Sequence, residues 1–581
     1  MPLSLGDRDV KSWQVRKIAV IGPGIVGMPM AALLAHSRIC EGSDTPAHVV
    51  VVQRDSPTSG WKVDSINAGK SPIGGVEPDL DRVVAESVAA GLLSATRDYA
   101  DLRDADVILV CVQTDKAGIA PDYGPLFEAL THVAETLRTR PTGNVPLIVF
   151  ESTLAPSSMA TVIRDHFARY GLIEGRDILL GNSPNRVMPG RLVERVAASD
   201  KLVAGLHPAT PQLIKRLYAR IVTRGTLYPT NSMTAEVVKT LENAYRDVRI
   251  AFAAEVARDC DAHDIDFYKV RDQVNTRLAQ PDGASADPNA VPSGGLLIPT
   301  VGVGGHCLPK DGILLWWRRL ESRADTSRSL ILEARTINDA SPAETVRLAE
   351  RVLGPVDGKS IALLGTAYRF NSEDTRNSPT LSLGTLLLAR GCKVWLHDPY
   401  VKGDDQNLRK FGLTDHFTRD LGKAVKDADW LIMCTAHRDY VSGRDAMLDA
   451  APKARGVVEG CNVYHAADIT KRKLIYTGIG RGKRAPTAIE IDSVTAAFRA
   501  VERGLANEVR DVVDFLNERY AADEFNRVKF KDVQQLAGTC VTGCAIVDPG
   551  PVKAIPDGLG SGSALLARAV GSPPPVAAAA V

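Results

Sequence analysis

The sequence predicts an α/β protein with two doubly wound domains, joined by a long central helix in a helical middle domain and followed by a C-terminal extension. Three observations predict it. Apolar runs alternate with helical stretches from KIAVIG at Lys17 through HVVVVQR, DVILVCV, PLIVFES and DILLG. Such alternation implies a mainly parallel sheet covered on both faces. The same alternation begins again at SIALLGTAYRF and continues through LSLGTLLLARG, KVWLHDPY and DWLIMCTAH. Between the two, Thr234 to Ala262 contains no Pro or Gly and is rich in helix formers. It reads as a single helix, longer than the usual length of about 11–12 residues.

The expected divisions are 15–215, 216–345, 346–482 and 483–581. A length of 581 residues is too much for one core. The stretch QPDGASADPNAVPSGG, near 280–295, reads as a loop, and the final GSPPPVAAAAV as a disordered tail. The extension carries a helical pattern, VTAAFRAVERGLANEVRDVVDFLNERY, read as a plain packing helix. Removing residues 520–581 is expected to leave turnover intact.

Composition excludes several classes. There are 70 Lys and Arg against 69 Asp and Glu, a formal net charge of +1. No global basic field exists to hold nucleic acid or an anionic membrane. No apolar run is long enough for a membrane span, and the N-terminal segment lacks the apolar core of a secretory signal. The nine cysteines are odd in number and scattered, which suits a reducing cytoplasm. No metal site is expected, because Cys540 and Cys544 have no matching Cys/His pair.

Gly22-Pro23-Gly24-Ile25-Val26-Gly27 fits G-x-G-x-x-G between a strand and a helix, the Rossmann-like fingerprint. The first glycine makes the turn, the second admits a pyrophosphate, and the third lets helix and strand pack. The helix N-terminus then offers N–H groups to phosphate. The next strand ends in Gln53 and Arg54, with Asp55 one step later. An acid there favours NAD, and an Arg can pair with the 2′-phosphate of NADP. NAD is the first expectation, with Asp55 or another group on the ribose, and NADP stays open.

PTVGVGGHCLPKDG, from Pro299 to Gly312, places Cys307 on a glycine-rich loop just before Lys310 and Asp311. Glycines permit close ligand approach, and nearby cations favour the thiolate, the reactive form. A buried, inert cysteine is the competing reading.

With these segments in hand, the chain resembles the UDP-glucose/GDP-mannose dehydrogenase family over roughly residues 15–480. The resemblance rests on the fingerprint at Gly22, VCVQT at Val110–Thr114, EST at Glu151–Thr153, SPNRVMPG at Ser183–Gly190 and EVVKTLENAYRDV at Glu236–Val248. It continues with GVGGHCLPKD at Gly302–Asp311, LGTAYRFNSEDTRNSP at Leu364–Pro379 and HDPYV at His397–Val401.

The resemblance implies a four-electron oxidation of a UDP-sugar primary alcohol to a carboxylate, with two dinucleotides consumed in turn. Cys307 would hold the aldehyde as a thiohemiacetal and then a thioester. Lys239 and Asn243, one helical turn apart, would bind substrate and stabilise oxyanions. Asp311 would activate water as a general base. Thr153 would hydrogen-bond that water or the nicotinamide. Gly22, Gly24, Gly27, Gln53, Arg54, Thr114, Thr153, Lys310 and Arg376 would line the cofactor, and Gly304 and Arg369 the substrate. An ordinary salt bridge to Asp374 or Glu373 is the other reading of Arg376. The family's central helix packs against its copy, implying a homodimer.

Two departures stand out. Pro184-Asn185 replaces a Pro-Glu pair, and Asn cannot act as a base, so Glu151 or Asp311 must serve through water, or hydrolysis is slow. Glu459-Gly460-Cys461-Asn462 lacks the phosphate-binding Arg of the family's Asp-Gly-Arg segment. His306 before Cys307, and the run from Asn185 to Gly190, look closer to UDP-N-acetylhexosamine dehydrogenases. UDP-GlcNAc or UDP-ManNAc is therefore the expected substrate, with UDP-glucose as runner-up. A nucleotide-sugar-binding protein without turnover is the rival reading.

Overall fold

The computed structural model describes residues 4–5, 8–9, 13–74, 77–141, 145–186, 190–278, 295–540, 543–553, 555 and 557–571. Most of the loop expected at 280–295, the end of SPNRVMPG and the expected disordered tail lie outside them. The chain forms two compact units. The first comprises 1–242, 314–324 and 509–546, and the second 243–313, 325–508 and 547–581.

In the first unit, eight strands form one sheet. They are β1 (Lys17–Ile21), β2 (His48–Val52), β3 (Leu93–Thr96), β4 (Val107–Val110), β5 (Leu147–Phe150), β6 (Leu179–Asn182), β7 (Lys201–Gly205) and β8 (Leu227–Asn231). The order is β8-β7-β6-β5-β4-β1-β2-β3. Every pairing is parallel except β6 with β7. Apolar clusters bury both faces, which is why the central strands read as continuous Val/Ile/Leu runs. The fingerprint turn joins β1 to helix α1 (Gly27–His36) where the strand order reverses, the usual ligand crevice of such sheets.

The second unit holds a wholly parallel sheet of β9 (Ser360–Leu364), β10 (Lys393–His397), β11 (Phe417–Thr418), β12 (Trp430–Met433), β13 (Gly456–Glu459) and β14 (Ile475–Gly478), in the order β11-β10-β9-β12-β13-β14. The expected fold class of two doubly wound sheets with a helical middle is therefore present. Asp398, at the end of β10, is fully buried and accepts hydrogen bonds from the Thr366 and Ala367 backbone N–H groups and from His437 Nε2, at 2.8, 2.9 and 3.0 Å. This pins the start of the loop that follows β9.

The long central helix is α2 (Ser232–Ala262), followed by α3 (Leu308–Glu321) and α4 (Leu330–Leu353). The extension contributes α5 (Ala488–Tyr520), α6 (Phe530–Gly538) and α7 (Ala564–Val570). It is stitched into both units. In the first, the Asn231 amide donates to the carbonyls of Phe525 and Arg527 at 2.9 and 2.8 Å. In the second, Glu508 accepts from Ser329 Oγ at 2.6 Å and Leu330 N at 2.9 Å, capping α4. The anchor at Phe525 and Arg527 lies within 520–581 and is lost when that stretch is removed. On α2, Phe252 meets this chain's own α5: Phe252 and Phe498 stack edge to face with ring centroids 6.0 Å apart.

Glu502 on α5 accepts from the Tyr245 hydroxyl at 3.4 Å, beneath Arg249. Burial pushes its carboxyl up from 4.5 to about 7, against the opposing pull of Arg249, Tyr245 and Arg499. The folded chain thus binds this proton more tightly than the unfolded chain. The contribution is full below pH 4.5 and is lost as pH rises to about 7. It amounts to no more than ~3 kcal/mol. Glu502→Gln is expected to flatten the decline of Tm between these pH values, measured by calorimetry; an unchanged slope assigns the decline to other groups.

Candidate active site

The turn after β1 leaves room for a ligand at Gly24. Gly22 has a φ of +89°, and a Cβ there would lie 3.0 Å from the Cys111 carbonyl oxygen. A Cβ on Gly27 would lie 2.1 Å from the Gly22 carbonyl oxygen. A Cβ on Gly24 meets nothing within 4 Å. Two glycines are thus required by packing, and the open one lets a pyrophosphate approach the backbone at the helix N-terminus.

At the end of β2, the Gln53 side chain donates to Ser59 Oγ at 3.0 Å. Arg54 pairs with Glu128 at 2.9 Å. The cation that suggested a 2′-phosphate partner is therefore already engaged, although on an exposed surface this pairing is weak. Thr114 donates its hydroxyl to the Thr153 carbonyl at 2.7 Å, bringing the VCVQT and EST segments together.

Glu151 of EST is bound on both oxygens. It is 1 % exposed, receives Lys201 Nζ at 2.6 Å on one oxygen and the Tyr218 hydroxyl at 2.5 Å on the other, and so anchors the sheet.

Arg186, beside Asn185, forms a buried ion pair with Glu242. It also donates to Thr539 Oγ1 at 2.8 Å and the Leu536 carbonyl at 3.0 Å. Burial raises the Glu242 carboxyl, while Arg186 and Lys239 oppose that shift. Glu242 is therefore structural, and it shares its field with Lys239, itself 8 % exposed. Arg186→Met is expected to destabilise the protein by about 3 kcal/mol or more by leaving a buried carboxyl uncompensated. Urea unfolding checks this; a loss below 1 kcal/mol would show that Glu242 relaxes at little cost.

Cys307 is exposed and immediately precedes α3. The α3 N-terminus favours negative charge there. The Cys307 carbonyl accepts from Lys310 N at 3.1 Å and Asp311 N at 3.0 Å. Asp311 is fully buried. One of its oxygens accepts Lys310 Nζ at 2.8 Å and the other the Asn243 amide at 2.6 Å. Cys307, Lys310, Asp311 and Asn243 thus form one cluster, and Lys239 lies one turn before Asn243 on α2.

The glycine loop leading to Cys307 packs on the loop after β9. A Cβ on Gly304 would lie 2.4 Å from Tyr368 Cβ, and Gly305 has a φ of +90°. Gly305 N donates to the Arg376 carbonyl at 2.8 Å, and the Asn377 amide returns a bond to the Gly305 carbonyl at 3.0 Å. Burial pushes the Tyr368 hydroxyl up to about 12, with Cys307 among the groups it senses. Arg369 follows Tyr368, its guanidinium 5.8 Å from the Phe370 ring centroid. Arg376 grips Asp374 with two nitrogens, at 2.9 and 2.6 Å. Arg376 is thus paired with Asp374, and its backbone supports the thiol loop. Cys461 N and Tyr464 N donate to Glu459, at 3.1 and 2.7 Å, which shapes the turn that lacks the Arg. A cleft of about 440 Å³ lies elsewhere in this unit, lined by residues including Arg258, Asp261, Thr300, Arg351 and Ile479; the thiol cluster does not line it.

Three family models match the chain in order. Residues 16–222 match the NAD binding domain of the UDP-glucose/GDP-mannose dehydrogenase family, 233–340 its central domain and 362–466 its UDP binding domain. The chain belongs to this family. It is therefore an NAD-binding nucleotide-sugar dehydrogenase, an oxidoreductase. A UDP-N-acetyl-D-mannosamine dehydrogenase of Pyrococcus horikoshii is 31 % identical over 80 % of this chain and 99 % of its own length. An NDP-N-acetyl-D-galactosaminuronic acid dehydrogenase of Ralstonia nicotianae is 29 % identical over 73 % of this chain and 92 % of its own. The crystal structure of a protein of the latter description from Methanosarcina mazei Go1 superposes with a TM-score of 0.68 at 31 % identity, covering 81 % of this chain and 96 % of that one. Among the described residues, no helix is long and apolar enough to cross a membrane.

Proposed function

We propose that this dehydrogenase oxidises the C6 hydroxyl of a UDP-N-acetylhexosamine, UDP-ManNAc or UDP-GlcNAc, to the carboxylate in a four-electron reaction. The observation that carries the reading is the cluster of exposed Cys307 with buried Asp311, Lys310 and Asn243. The acetamido sugars named for the Pyrococcus and Ralstonia relatives favour a substrate of that class over UDP-glucose.

NAD, when bound, supplies the hydride acceptor. Gly22, Gly24 and Gly27 form its pyrophosphate cradle, with Gln53, Arg54, Thr114 and Thr153 along the same crevice. By division of the sequence, we assign 15–215 to the cofactor, 216–345 to the catalytic side chains, 346–482 to the UDP end and 483–581 to the extension. Arg369 meets the diphosphate through its planar fork, in the absence of an Arg at Cys461.

The Cys307 sulfur adds to the C6 aldehyde, and the carbonyl oxygen becomes the oxyanion of a thiohemiacetal. Lys239 and the Asn243 amide stabilise that oxyanion. Loss of the second hydride leaves a thioester. Asp311 takes a proton from water, the water oxygen bonds to C6, and the Cys307 thiolate leaves. Lys310 pairs with Asp311 as its counter-charge.

The test offers UDP-ManNAc, UDP-GlcNAc and UDP-glucose, each with NAD and with NADP, and follows nicotinamide absorbance. Two reduced cofactors per acetamido sugar support the reading. Turnover confined to UDP-glucose overturns the substrate assignment. Binding of all three sugars without turnover favours the binding-only alternative suggested by Asn185 and Cys461.

A further inference from the structure

The loop that follows β9 is fastened at both ends by one buried pair of side chains. In the second sheet β9 lies between β10 and β12, where the strand order reverses. The carboxyl end of β9 therefore faces the crevice in which sheets of this kind take ligands. The loop carries Arg369 and falls within 362–466, the segment that matches the family's UDP binding domain.

At the near end of the loop, Asp398 accepts from Thr366 N and Ala367 N at 2.8 and 2.9 Å. Thr435 Oγ1 adds a bond to the Ala367 carbonyl at 2.6 Å. At the far end, Asn371 N donates to His437 Nδ1 at 2.8 Å, and Asn371 Oδ1 accepts from Arg438 N at 2.9 Å. His437 and Asp398 are joined to each other, Nε2 to Oδ2 at 3.0 Å, and both side chains are fully buried. Because Nδ1 accepts a backbone N–H, the ring proton sits on Nε2 and is donated to the carboxylate. The rings of Tyr400 and Tyr440, with centroids 5.1 and 5.6 Å away, hold the imidazole in place.

Arg369 thus stands between two fastenings that share one support. Asn371 has a φ of +52°, a conformation that a residue with a Cβ keeps when its surroundings impose it. Left loose, a long Arg side chain on a mobile loop would have to be ordered by each incoming ligand, at a cost in affinity. We propose that His437 is a positioning residue for the substrate: by holding Asn371 it sets the loop so that Arg369 is presented to the diphosphate, resting on the reading of Arg369 as the residue that meets it. The ring does this from the buried side of the loop and touches no substrate atom.

Calorimetric titration of the full-length chain with UDP is the test, in four variants and their combinations. His437→Gln keeps a donor near Nε2 for Asp398 and loses the acceptor at Nδ1; its Kd for UDP is expected to rise roughly 10-fold. His437→Asn places an amide oxygen where Nδ1 stood and is expected to recover most of that loss. Asn371→Gly, at an exposed position, keeps the backbone N–H and the φ but drops the bond to Arg438, leaving the buried pair intact. Its Kd is expected to rise about 3-fold. Each variant is measured again with Arg369→Ala. Effects that vanish in that background support the proposal. Effects of equal size in both backgrounds overturn it, as does a loss in His437→Asn equal to that in His437→Gln. Unchanged UDP affinity in His437→Gln and Asn371→Gly overturns it while leaving Arg369 on the diphosphate. Wild-type UDP affinity in Arg369→Ala alone removes Arg369 from the diphosphate, and the role of His437 falls with it.

Discussion

Replacing Cys307 by serine is expected to lower steady-state turnover by roughly 10³-fold or more. The thiol sulfur does two things that a hydroxyl does poorly at neutral pH: it attacks the aldehyde, and it leaves from an acyl carbon. Cys307 is placed for both, exposed at the α3 N-terminus while its backbone carbonyl is held by Lys310 and Asp311. Serine preserves size, so the loop on Tyr368 and Asn377 should stay folded. The informative readout is stoichiometry. Wild type should reduce two cofactors per sugar; the variant should stop at one, with aldehyde trapped by a hydrazine. Undiminished stoichiometry in the serine variant would remove Cys307 from the chemistry.

Much of this was legible because the relevant signals are local. Gly22 to Gly27 act within one turn, and the strand and helix on either side are continuous in sequence. The thiol loop is equally compact, since Lys310 and Asp311 fall within the first turn of α3 and Cys307 immediately precedes it. Less legible were elements whose identity depends on distant partners. Leu93–Thr96, with the sequence LSAT, has little strand character by itself and is a strand because β2 pairs with it. Leu227–Asn231 contains Pro229, which is tolerated because this strand lies at the sheet edge. Glu151 was read as near the chemistry because its neighbours are; its partners Lys201 and Tyr218 are 50 and 67 residues away, so its anchoring role was hidden. Arg186 carries the same lesson more strongly, because Thr539 lies 353 residues on. The helical pattern of the extension was visible, but its target on α2 was not. A helix that is apolar on several faces announces burial without naming what buries it.

The second large effect is expected at Asp311. Asp311→Asn keeps the shape of the side chain while removing its charge. Two consequences can be separated. The first is structural: Lys310, 3 % exposed, loses the Asp311 carboxylate, and breaking a buried ion pair costs about 3 kcal/mol or more. The second is chemical: without a carboxylate the hydrolytic water has no base, and turnover should fall by ~10²–10⁴-fold. The chemical loss falls on one step only. Both hydrides leave before the thioester is hydrolysed, so the variant should still give a burst of two reduced cofactors per chain and then stall. The stalled state is a covalent acyl adduct on Cys307, readable by intact mass after acid quench. If Asp311 only holds Asn243 and Lys310 in place, the earlier steps slow as well, no burst develops and no adduct accumulates. Buried burdens of this kind separate cleanly when stability and burst amplitude are measured on the same preparation. A variant that is destabilised yet bursts normally assigns the carboxylate to both roles, holding the Lys310 ammonium on one oxygen and the Asn243 amide on the other while serving the hydrolytic water.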